Sequence, residues 1–197
     1  SYNHSIRRLQ LPISCDDGDP CTADRCSSGK CVHEQVPGCA AVAQCSLPRY
    51  PTERYAGSGT AGYLGGAPKT ARFYSPASVA VDPQDVLWVT DTNNYRIRRI
   101  PLSGNPSTVV GTGSKGDVNG VGGAAKIGVS RSIAATTDHV YFGDDSARKI
   151  KVYDKTSRIV STVVDDDALP PVGGVADKLS IWLWGLAVTP QETALFI

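Results

Sequence analysis

SPASVAVDPQDVLWVTDTNNYRIRRI, residues 75–100, decides the fold. With Tyr74 before it, it reads as three short strands joined by tight turns. Ser78 to Asp82 is apolar, with β-branched Val79 and Val81. Pro83 to Asp85 is a turn, because proline fixes φ and Gln84-Asp85 is polar. Val86 to Asp91 is a second apolar run. Thr92-Asn93-Asn94 is another turn, since asparagine tolerates the left-handed region. Tyr95 to Ile100 alternates, with Tyr95, Ile97 and Arg99 on one face and Arg96, Arg98 and Ile100 on the other. A meander of this kind cannot bury both faces alone and needs copies of itself alongside.

Copies are present. Ser132 to Tyr153, SIAATTDHVYFGDDSARKIKVY, repeats the same order of apolar strand, polar turn, aromatic strand ending in Asp, turn and basic strand. Matching Ile97 to Ile150 gives a period of 53 residues (150 minus 97). A further start lies at Gly185 to Ile197, where Val188-Thr189-Pro190 matches Val81-Asp82-Pro83. The end of an earlier copy opens the chain, with NHSIRRL (Asn3 to Leu9) matching NYRIRRI (Asn94 to Ile100).

DTNNYRIRRI, preceded by ARFYSPASVAVD and AGSGTAGYLGGAP, resembles an NHL-type β-propeller repeat, most closely over Tyr55 to Ile100 and less so over Ser130 to Val164. The resemblance implies four-stranded blades set around an axis. It implies no single activity, since such a fold hosts binding modules, structural proteins and enzymes. The expected fold is all-β: a partial NHL-like propeller of about three blades' worth, spanning residues 1–11 and 50–197. That is too few blades to close a ring of at least ~4, so the chain is expected to be one sector of a longer protein.

A cysteine-rich module is expected at residues 12–49. All 6 cysteines, Cys15, Cys21, Cys26, Cys31, Cys39 and Cys45, lie in this short polar stretch. Such clustering is the pattern of a disulfide staple, with 15 pairings open. CDDGDPCTADRC resembles the slime-mould (CTDC-type) repeat of extracellular matrix proteins, with its core at Cys21, Thr22, Asp24 and Cys26. That resemblance implies an oxidising, extracellular setting. Structural zinc is disfavoured, because the spacing lacks a Cys-x-x-Cys knuckle. Asp16, Asp17, Asp19 and Asp24 are candidate Ca²⁺ ligands, although they lack the alternation and terminal glutamate of an EF-hand; an acidic turn is the alternative.

The module falls between two strands of one blade. Ile97 is followed by Gly111 after 14 residues (111 minus 97), whereas the equivalent Ile6 is followed by Gly57 after 51 (57 minus 6). Lengthening that loop about six-fold costs only ~1.6 kcal/mol of closure entropy. A blade can therefore carry it as a projecting knob, and such loops are usual contact sites.

Charge is balanced, with 20 Lys plus Arg against 19 Asp plus Glu. This gives no reason to expect a nucleic-acid surface. No apolar run approaches the ~20 residues that span a bilayer. Asp91 is expected to pair with Arg96 or Arg98, and these charges recur as Lys149 and Lys151 with Asp144-Asp145. Gly57-x-Gly59-x-x-Gly62 formally matches a dinucleotide fingerprint, but no strand–helix context follows it, and Gly111 to Gly116 recurs at the same place as a blade link. Asn3-His4-Ser5 is a glycosylation sequon. Trp182 and Trp184 are interaction candidates, suited to filling a blade interface or to stacking on glycans.

No catalytic constellation is visible. His4, His33 and His139 share no metal-ligand spacing, and no serine sits in a nucleophile elbow. The expected function is a structural or adhesive segment of an extracellular, cell-surface, matrix or filament glycoprotein, with no catalysis and no cofactor. Its partners would be other subunits of the assembly, the rest of its own longer chain, or glycans. The alternatives are a secreted metal-dependent propeller hydrolase or lyase whose active residues lie elsewhere, and a ligand-binding receptor-type propeller.

Overall fold

The computed structural model describes residues 4–9, 22–27, 30–35, 52–165, 185–189 and 191–196. They contain fifteen strands and two single-turn 3₁₀ segments, and no α-helix is found among them. The chain divides into two compact units, Ser1–Ile6 with Arg54–Ile197, and Arg7–Glu53.

The first unit is a partial propeller-like β fold. Strand β1 (His4–Leu9) pairs with β4 (Thr52–Gly59), as the third and fourth strands of a first blade. Strands β5 (Pro76–Val81), β6 (Leu87–Asp91), β7 (Arg96–Ile100) and β8 (Ser107–Val110) form a four-stranded antiparallel meander in sequence order. The next sheet holds β9 (Gly120–Val121), β10 (Ile133–Ala135), β11 (His139–Asp144), β12 (Lys149–Asp154) and β13 (Ile159–Asp165) in the order β10-β11-β12-β13-β9. A last pair, β14 (Ala187–Val188) with β15 (Leu195–Phe196), begins another copy. Strand β10 lies beside both β5 and β14, so the segments around Val81, Ala135 and Val188 are equivalent first strands of successive sheets.

Strand alternation divides the apolar side chains between two cores. Trp88, Ile97 and Val110 pack toward the next blade against Ile133, Val140, Phe142, Tyr153 and Val160. Val89 and Ile100 point the other way, against Ala56, Ala71 and Phe73, with Ile6 and Tyr55 at the margin. The β5–β8 blade is thus wedged on both faces, as a period of two demands.

The links between blades repeat in detail. Ser58 N–H donates to the Ala71 carbonyl at 2.7 Å, as Thr112 does to Ala125 at 3.1 Å; Arg72 and Leu64 exchange bonds as Lys126 and Val118 do. Gly111 (φ +99°) is required because a Cβ there would lie 2.2 Å from the Tyr95 carbonyl oxygen. The Gly57 and Gly59 stretch therefore serves as a blade link. The β6–β7 turn differs from expectation, because the left-handed residue is Tyr95 (φ +52°) and not an asparagine. Asn94 is used through its side chain, which donates to the Gly62 carbonyl at 2.8 Å and to Asp91 at 2.9 Å. Those two bonds hold the turn so that strain falls on the residue after it. The equivalent Arg148 is also left-handed (φ +58°).

In the second unit, β2 (Thr22–Ser27) pairs antiparallel with β3 (Lys30–Gln35), and Cys26 stands directly opposite Cys31.

Candidate interaction site

Buried charge holds the blades in place. Asp91, at the end of β6, accepts from the Tyr74 N–H at 2.7 Å and pairs with Arg98 at 3.1 Å, with both side chains almost completely excluded from solvent. Burial raises the Asp91 carboxyl above its ordinary range, against the pull of those donors. Arg98 is thus the expected partner of Asp91. Arg96 instead donates to the carbonyls of Asn94 and Thr112 and lies over the Tyr63 ring, 3.8 Å from its centre.

In the next blade the same positions are solved differently. Asp144 occupies the place of Asp91 and accepts from the Gly128 N–H at 2.8 Å, and burial again raises its carboxyl. Contrary to expectation, it does not ion-pair with Lys149 or Lys151, and Asp145 pairs with Arg131. Both lysines turn to Asp117 in the preceding link, at 2.7 and 2.6 Å. Asp117 stands where the earlier link has Tyr63. A ring facing two arginines in one blade becomes a carboxylate facing two lysines in the next. Arginine spreads its charge over a plane that stacks on an aromatic face, whereas a compact ammonium needs an anion.

A second cluster joins β10–β11 to the last sheet. Glu192 accepts from His139 Nδ1 at 2.5 Å, from the Tyr141 hydroxyl at 3.1 Å and from Thr136. Burial pushes the Glu192 carboxyl up, but the Thr136 hydrogen bond and the His139 and Tyr141 interactions outweigh it and leave it below its ordinary range. Asp154 lies 3.7 Å from His139 Nε2. With its acceptor sites occupied, Glu192 serves as a tie between blades.

The open feature is a cleft of about 620 Å³ between the two complete blades. Trp88 and Tyr153 form its floor, with ring centres 6.2 Å apart at 49°. Ser107, Thr108 and Arg99 come from one blade, Lys155 and Arg158 from the other, and Gly122 from the link between them. A Cβ on Gly122 would lie 2.3 Å from the Val109 carbonyl oxygen and 2.9 Å from the Tyr153 ring, so only glycine lets the link pass here. Asp82 is the sole carboxylate lining the cleft, and its acceptor sites are taken. It binds the Gln84 and Val86 N–H groups at 3.0 Å, Trp88 Nε1 at 2.9 Å and Lys155 Nζ at 2.6 Å. Burial works to raise its carboxyl, but Lys155, Trp88 and Val86 together hold it below the ordinary range.

Arg99 and Arg158 remain. Among the described residues neither side chain forms a hydrogen bond or ion pair, yet both act electrostatically on the buried Tyr153 phenol, which burial otherwise pushes up. With Lys155 paired to Asp82, the two arginines leave the cleft with a net positive charge.

Asn3, Cys15, Cys21, Cys39, Cys45, Asp16, Asp17, Asp19, Trp182 and Trp184 lie outside the described residues. Asp24 lies on β2 opposite His33. Among the described residues no group of three or more His, Cys, Asp and Glu is arranged to hold a metal ion, and no helix is long and apolar enough to cross a membrane. The cleft residues were missed, although a signal existed. Arg99 matches Arg8 of the first copy, whereas the next blade has Val152 at that position, so an arginine there is not kept in every blade.

Two family models match parts of the chain: the NHL repeat over residues 73–100, which coincides with β5 to β7, and the Dictyostelium (slime mold) repeat over residues 14–36. No curated protein matches. Similar solved structures include a structural genomics protein of unknown function from Bacteroides thetaiotaomicron, with 20% identity and a TM-score of 0.43 over 57% of this chain and 27% of that one. An auxiliary nutrient binding protein from the same organism matches at 20% identity and a TM-score of 0.40, over 57% of this chain and 28% of that one. The chain thus spans less than a third of the length of these two proteins.

Proposed function

We propose that this chain is a binding and structural segment of a larger extracellular assembly, and that it contacts partners without catalysing a reaction. One observation carries the reading. The pairs Asp91–Arg98 and Asp117–Lys151 hold strands and links together, while Arg99 and Arg158, whose side chains have no hydrogen-bond or ion-pair partner among the described residues, both line one cleft. A catalyst would leave a base or nucleophile free there. A binding module leaves complementary charge. The slime-mold repeat match over residues 14–36 and the 6 cysteines clustered from Cys15 to Cys45 support the extracellular setting and disulfide bonding of this segment. Glycosylation at Asn3 belongs to the same reading.

The test is chemical cross-linking of the natively isolated protein, with thiol counting before and after reduction. Recovery in a cross-linked extracellular assembly, with thiols appearing only after reduction, supports the proposal. Six free thiols in a chain that cross-links to nothing refute it.

A further inference from the structure

We propose that the cleft between the two complete blades binds an acidic saccharide, whose sulfate or carboxylate group is gripped by Arg99 and Arg158. The inference rests on the binding role proposed above and names the ligand class of that site.

Three features of the cleft select this chemistry. First, the two arginines belong to different blades, Arg99 on β7 and Arg158 in the turn from β12 to β13, yet both line the same cleft beside Tyr153. Convergent guanidinium groups are complementary to an oxyanion, which they bind through charge-assisted, often bidentate hydrogen bonds. Nothing in the described structure competes, because Asp82 is already committed to Lys155, Trp88 and two backbone N–H groups.

Second, the remaining lining mixes apolar side chains, Val86, Val109 and Val121, with hydroxylic and polar ones, Ser107, Thr108 and Gln84. A polyol needs donors and acceptors at close spacing, and these residues offer both. Third, Trp88 is only 3% exposed and Tyr153 only 6%, so the floor offers little ring face and the apolar lining is Val86, Val109 and Val121. A sugar ring presents hydroxyl edges and C–H faces, and so matches a lining that mixes the two. At about 620 Å³ the cleft has the capacity of an ordinary small-ligand site, of roughly 300–1,000 Å³. A single inorganic anion would leave most of it to water.

The proposal makes the unpaired arginines a binding device with no structural duty. Replacing either should weaken the ligand and leave the fold as stable as before. A purely structural role would show the opposite pattern.

The test titrates the full chain with a heparin-derived tetrasaccharide, trigalacturonate, maltotriose and sodium sulfate, read by calorimetry and by tryptophan emission, since Trp88 lines the site. The two acidic saccharides should bind, and maltotriose and sulfate at equal concentration should not. Arg99→Gln and Arg158→Gln should each weaken binding about tenfold. Neither should lower the melting temperature. Lys69→Gln, at an exposed position away from the cleft, should leave binding unchanged. Failure of both acidic saccharides to bind overturns the inference. So does equal binding of maltotriose, competition by sulfate mole for mole, or a loss with Lys69→Gln as large as with the cleft variants. If the saccharides fail to bind while the protein still cross-links into an extracellular assembly, the ligand class is wrong and the interaction role stands. If they bind to a chain that joins no assembly, the reverse holds.

Discussion

Lys151 offers the sharpest perturbation of the fold. Its side chain is fully buried, and its ammonium is held by Asp117 Oδ1 at 2.6 Å and Asn119 Oδ1 at 2.8 Å. Asp117 is 37% exposed and also binds Lys149. Breaking a buried pair costs about 3–5 kcal/mol, because the remaining charge is stranded. Partial exposure of Asp117 screens the interaction, so Asp117→Ala should cost about 2–3 kcal/mol after that discount. For a chain of this size the melting temperature should fall by roughly 4–12 °C. Lys151→Met keeps most of the volume and removes the charge that needed Asp117. The double variant should therefore be less damaged than the sum of the singles, by about 1–2 kcal/mol. Asp117→Tyr alone should be destabilising, and adding Lys149→Arg and Lys151→Arg should recover part of the loss by recreating the ring-over-arginine arrangement at Tyr63. The assay is urea denaturation followed by circular dichroism. Additivity of Asp117→Ala and Lys151→Met within about 0.5 kcal/mol would refute the reasoning.

Other outcomes follow from the same geometry. Hydrogen bonds from Lys149 and Lys151 lower the Asp117 carboxyl in the fold, so its stabilisation is present above the ordinary carboxylate pKa and is lost as pH falls below about 4. Acid titration of stability should show a shallower decline in Asp117→Asn. Glu192 is likewise held below its ordinary range, chiefly by Thr136 and His139 against the effect of burial. Glu192→Gln should thus blunt the loss of stability on acidification from about pH 4.5 downward, measured by thermal melts across pH. Gly111→Ala should cost about 3 kcal/mol or more, since its Cβ would strike the Tyr95 carbonyl. Gly120→Ala, with the same left-handed strain but open space around it, should cost about 1 kcal/mol. Equal losses for the two glycines in urea denaturation would show that the contact at Tyr95 carries no weight.

What the sequence by itself determined was the blade. Residues 75–100 encode three strands and two turns through alternation and turn chemistry, and β5, β6 and β7 fall there with ends moved by only a residue or two. The recurrence of that pattern placed β10 to β13, the opening of the last sheet, and the pairing of β1 with β4 across the intervening cysteine-rich residues. Asp91 with Arg98 was legible because a hairpin brings the two together over seven residues. Tertiary structure alone decided what the links do. Asp117 reaches Lys151 across 34 residues, Gly120–Val121 adds a fifth strand to its sheet, and Arg99 and Arg158 come to line one cleft only through the packing of two blades. Periodicity records which face a side chain takes within its own sheet. It carries no record of which neighbour that face will meet, because this depends on how successive sheets are wedged around the axis.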